Sequence, residues 1–218
     1  MTLSMLSWCC VLIASLLLYP TSVHSAGTPG TTSAESQALT GDEAAAAAAR
    51  HYREAMALKA EAWHQQAEAA NSSEAAARNA ALASERSAYQ AMIDQLQLAL
   101  KNAPRYVEAA TELGYALRQT GKFRKAIGAY NYALGINAEH FAAVEYRGQA
   151  YLAINNIDKA KQDYLTLFRY APELADKLMS AMDHWLASQP ADSTGAFSQW
   201  LRERKALAGP STNRSGRW

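Results

Sequence analysis

The sequence predicts an all-α fold on three observations. Helix-forming residues dominate from Glu43 onward, Pro is sparse through the middle of the chain, and β-branched residues rarely cluster as strands require. A recurrence at an offset of 34 sharpens this class: Gly114 falls on Gly148, Ala126 on Ala160 and Tyr130 on Tyr164. Residues of one size returning at that interval mark stacked antiparallel helical hairpins, an α-solenoid.

The apolar supply is thinner than its 50% share suggests, because much of it is Ala, including the run from Ala44 to Ala49. Alanine favours helix but buries little surface. The 21 basic and 20 acidic residues are spread along the chain and leave a formal charge of +1. No basic stripe suited to tracking phosphates is visible, so nucleic acid is not an expected partner.

Leu6 to Tyr19 is an apolar run of signal-peptide length, and Val23-His24-Ser25 before Ala26 suits a peptidase cut after Ser25. Residues 1–25 therefore read as a signal peptide. The expectation is an exported chain, periplasmic or secreted, with no integral membrane span after cleavage. Because Met1 to Ser7 carries no Lys or Arg, a retained N-terminal membrane anchor is the alternative. Both cysteines, Cys9 and Cys10, lie in the apolar run, so the cleaved chain would hold by packing without disulfides.

Residues 26–42 are rich in Gly, Thr, Ser and Pro and read as a disordered linker. Residues 43–104 read as Ala-rich helices. The first, long helix begins near Asp42 or Glu43 and carries a thin stripe of Tyr52, Met56 and Trp63. Asn71, with Glu74 three places on, predicts a capping box that opens a second helix running to about Lys101. Tyr89, Met92, Ile93, Leu96 and Ala99 give that helix a strong core face, and it reads as the second helix of a degenerate first repeat.

Residues 105–172 hold two clear repeats. Small residues at Gly114, Gly148, Ala126 and Ala160 let paired helices approach, while Tyr130 and Tyr164 fill the space around them. Gly121, and Asn155-Asn156 in the next unit, suit the left-handed turn between helices. Residues 173–208 predict a capping helix pair, with Leu178, Met182 and Trp185 inward on one and Phe197, Trp200, Leu201 and Leu207 inward on the other. Residues 209–218 read as a disordered tail.

The stretch Glu112-Leu113-Gly114-Tyr115-Ala116-Leu117, then Gly121-Lys122-Phe123, Ala126 and Tyr130, resembles the tetratricopeptide repeat. Tyr146-Arg147-Gly148 through Tyr151, Ala160, Tyr164 and Pro172 resembles it again. The pattern departs at Ala110 and Val144, where the first-helix Trp would stand, and at Ala138, where Pro would. The resemblance implies that the first helix of each hairpin lines a concave groove. Its liners would be Glu108, Thr111, Glu112, Tyr115, Arg118 and Gln119 from one unit, with Glu145, Gln149 and Leu152 from the next. Asp176, Met179 and Asp183 would follow from the helix after Pro172.

No catalytic, metal or cofactor motif stands out. His51, His64, His140 and His184 lack metal-ligand spacing, and no nucleophile elbow or phosphate-binding Gly loop occurs. The expected function is a non-enzymatic scaffold or adaptor of the cell envelope, whose groove takes a protein or extended peptide of basic character. Two alternatives stand beside it: a structural protein that self-associates through its long Ala-rich helix, and an enzyme's accessory subunit.

Overall fold

The computed structural model describes residues 40–190 and 195–208. The expected signal peptide, the tail and all but the last three residues of the expected linker lie outside the described residues. What is described is all-helical: α1 (Gly41–Asn71), α2 (Ala75–Asn102), α3 (Val107–Gln119), α4 (Phe123–Ile136), α5 (Phe141–Ala153), α6 (Ile157–Tyr170), α7 (Pro172–Ala187) and α8 (Gly195–Ala208). No described helix is long and apolar enough to cross a membrane.

Consecutive helices pair: α1 with α2, α3 with α4, α5 with α6. Contacts from α3 to α5 and from α5 to α7 then place the first helices of successive pairs side by side. α2 lies against α3, α4 against α5 and α6 against α7, so each pair covers the next.

α1 starts at Gly41, within the stretch expected to be linker, because Thr40 and Glu43 close a capping box. Each side chain satisfies the other's backbone end, and the Glu43 carboxyl is held below its usual range by those bonds to Thr40. The capping box expected at Asn71 and Glu74 is not formed. Asn71 is instead the last residue of α1, and Glu74 caps α2 with its backbone alone.

The stripe that α1 buries also differs from the expected one. Ala48, Ala55, Ala62 and Ala69, seven apart, are buried, whereas Trp63 stays 50% exposed and Tyr52 and Met56 are half-buried. Alanines at that spacing let α1 and α2 run close together along a nearly straight seam. The large residues of α1 are left on its flank, turned toward α3.

Beyond this pair the core follows the repeat. Ala126, Tyr130, Ala133, Ala160, Tyr164 and Leu167 are fully buried. The two repeat glycines serve different neighbours. A Cβ on Gly114 would run into the Tyr130 ring of its own hairpin, while one on Gly148 would meet Leu178 of α7 at 2.6 Å. Gly121 (φ 74°) and Asn155 (φ 58°) both adopt the left-handed conformation that ends α3 and α5.

The Arg147 guanidinium grips both Asp163 oxygens, at 3.0 and 2.6 Å, and its third nitrogen donates to Asn131 at 2.7 Å. That fork ties α5 to α6 and to α4. α8 rests on α6 and α7 through aromatics: Trp200 stands edge-on to Tyr164 and Phe197 edge-on to Trp185. Phe197 and Leu201 are buried as expected, but Leu207, expected inward, is 68% exposed.

Candidate functional site

On the side formed by the first helices, α1 delivers Lys59 and Trp63 to the face of α3. Four and three residue steps decide which side chains meet there: Lys59 and Trp63 on α1, then Glu112, Tyr115 and Gln119 on α3. The Lys59 ammonium lies 2.9 and 2.8 Å from the two Glu112 oxygens, and both side chains are largely screened from solvent. The same ammonium sits 4.4 Å from the centre of the Tyr115 ring and 5.0 Å from that of Trp63. Trp63 Nε1 donates to the Tyr115 hydroxyl at 2.8 Å, and Gln119 Nε2 donates to it at 3.2 Å.

The row continues onto α5. The Arg118 guanidinium lies 5.4 Å from the Tyr115 ring and 5.9 Å from that of Tyr146, whose ring is itself 5.6 Å from Tyr115. Cations and rings thus alternate from Trp63 through Lys59, Tyr115 and Arg118 to Tyr146. Each charge is partly desolvated against a π-face, which strengthens the contact relative to one in water.

Glu145 stands beside this row, 2% exposed, with Gln149 donating to its carboxylate. Burial raises its pKa, against the opposing pull of Gln149, Arg118 and Lys177. Desolvation therefore outweighs its charge partners.

The expected groove residues divide by what holds them. Tyr115, Arg118, Gln119, Glu145 and Gln149 converge on the row just described, joined by Glu112 through Lys59. Thr111 is buried and its hydroxyl donates to its own helix at the Val107 carbonyl, so it is turned inward. Met179 and Leu152 are buried as well. Asp183 accepts from Lys205 of α8 at 2.7 Å, Asp176 is half-buried, and Glu108 is exposed.

Arg118, Gln149 and Leu152 also meet in a cleft of about 270 Å³, which Phe123 of α4 and His184 and Trp185 of α7 complete. Lys59, Phe123 and Tyr146 were not among the groove residues expected from the sequence, and Trp63 was expected on the apolar stripe of α1. The spacing of Lys59 and Trp63 on α1 was visible, but which helix they faced was not.

Among the described residues no three His, Cys, Asp or Glu side chains converge as a metal would require. Arg118, His184 and Gln149 offer hydrogen-bond donors around an apolar floor of Phe123, Leu152 and Trp185. That chemistry suits recognition of a side chain or backbone carbonyl. Compared with protein-family models and with curated proteins, the chain matches none.

Proposed function

We propose that this chain is a tetratricopeptide-type solenoid that acts as a non-catalytic scaffold or adaptor of the cell envelope, taking an extended segment of another protein along the first-helix face. The observation that carries it is the row from Trp63 to Tyr146, which spans α1, α3 and α5 without a break. Side chains fixed to one another in this way present a preorganised surface, so a docking segment orders itself without ordering its receptor.

The buried repeat positions support the same reading. Gly114, Gly148, Ala126, Ala160, Tyr130 and Tyr164 bring helix pairs together, and stacked pairs of this kind leave the side chains of the first helices in a common groove. Glu112 and Asp183 are matched to Lys59 and Lys205, so the basic character of the partner rests on Glu108, the exposed one of the expected groove carboxylates. The Ala seam of α1 is filled by α2, so self-association would need another surface.

Photo-crosslinking in the native compartment tests the proposal. A benzophenone residue replacing Glu108, exposed on α3, should yield a discrete protein adduct, while one replacing Tyr132, exposed on α4, should not. Equal labelling from both positions, or none from Glu108, removes the groove as the binding face.

A further inference from the structure

A second cleft, of about 360 Å³, opens at the turn between α3 and α4. Phe123 and Ile154 form its apolar walls, and Lys122, Arg124 and Lys125 form its rim. Phe123 also walls the cleft of Arg118, Leu152 and Trp185, so the two clefts adjoin across one ring. The residues lining the pair include four Lys or Arg and no Asp or Glu.

This charge sits where the fold disfavours it. Lys122 caps α4, and Arg124 and Lys125 occupy its first turn, with no acidic residue there and no side chain bonded to the exposed amides. The helix dipole repels cations at that end. Lys122 reaches Gln90 at 2.7 Å, and neither Arg124 nor Lys125 has a carboxylate partner among the described residues. Local helix stability thus gains nothing from these cations, whereas a negatively charged partner would meet both the cations and the uncapped amides.

We propose that the paired clefts around Phe123 bind an acidic protein segment in which Asp or Glu residues flank one apolar anchor. The anchor enters between Phe123, Ile154 and Trp185, and the carboxylates face Arg118, Lys122, Arg124 and Lys125. A peptide fits better than an anionic membrane, because Phe123, Leu152 and Trp185 are recessed as cleft walls instead of projecting as a wedge. This rests on the reading of the stack as a protein-binding scaffold, and it adds a site of opposite charge preference at the turn end.

The test is selection from a random displayed peptide library on the full chain, followed by solution binding of the enriched peptides. Enrichment of Asp or Glu around a single Trp, Phe or Leu is expected, with affinity falling roughly tenfold or more in R124E/K125E and in the milder Phe123→Ala. Glu is favoured at a helix N-terminus, so R124E/K125E should melt no lower than the parent, which separates lost binding from lost folding. Binding of the same peptides should survive Trp63→Ala, so failure of the first-helix groove and failure of this site are read apart. Enriched peptides that are basic or uncharged, no enrichment, or affinity unchanged in R124E/K125E would overturn the proposal. So would binding to phosphatidylserine vesicles, lost in R124E/K125E, in the absence of selected peptides.

Discussion

Trp63 and Tyr115, 52 positions apart, are joined by an indole-to-hydroxyl hydrogen bond of 2.8 Å, and the Lys59 ammonium lies 5.0 and 4.4 Å from the centres of their rings. The bond is the point where α1 is fixed to the face of α3. Replacing Trp63 by Phe keeps a ring but removes the donor, and should cost about 0.5–1.5 kcal/mol in urea unfolding. Lys59→Met leaves Glu112 largely desolvated without its cation and should cost more, on the order of 2 kcal/mol. In a double-mutant cycle the Trp63 and Lys59 changes should couple, because they share Tyr115; strict additivity would show that the row is not a unit.

Gly114 and Gly148 occupy the same repeat position yet should differ in tolerance. Gly114→Ala drives a methyl into the Tyr130 ring, which is fully buried and cannot move aside. Gly148→Ala meets the branched end of Leu178, equally buried but able to turn about its side-chain bonds where a ring cannot. Overpacking of this kind costs about 1–3 kcal/mol, and Gly114→Ala should fall at the upper end with Gly148→Ala below it. Thermal unfolding of the two variants checks the order.

The left-handed turns give a paired prediction. Gly121→Ala forces a Cβ into a φ of 74° and should lower stability by roughly 1–2 kcal/mol, although open space surrounds the position. Asn155→Gly, at φ 58°, should change stability by only a few tenths of a kcal/mol, since both residues accept that conformation. A comparable loss in both variants would contradict the conformational explanation.

Glu145 should give the chain an acid-side stability increment. Its folded pKa is raised above the ordinary 4.5 by burial, so between those values the folded state binds more protons than the unfolded one. Its contribution is therefore most favourable below 4.5 and is lost as pH rises through the folded pKa. Glu145→Gln, which can still accept from Gln149, should be more stable than the parent at neutral pH. The gap in urea midpoint should narrow as pH falls, and a gap that widens would reverse the assignment.

Much of the helical plan was legible because it is local. Gly121 and Asn155 marked turns that require a left-handed residue, and the 34-residue return of Gly and Ala marked the positions where helices pack. The capping box was misplaced because Asn71 and Glu74 carry the right side chains, yet α1 keeps Asn71 in its last turn and Thr40 with Glu43 satisfies the pattern instead. Trp63 and Leu207 were expected inward from their helical phase. Phase fixes which residues share a face, not whether another helix covers it.

By itself the sequence determined the helices, most of their ends and the small residues that permit close pairing, because backbone preferences and steric size act within a few residues. Only the tertiary structure decided that the Ala seam of α1 is filled by α2, that Gly148 answers to Leu178, and that Lys59 and Trp63 complete a row with Tyr115 and Arg118. Contacts between residues about fifty positions apart depend on how whole helices settle against one another, and that is a balance of packing over the entire stack that no local spacing encodes.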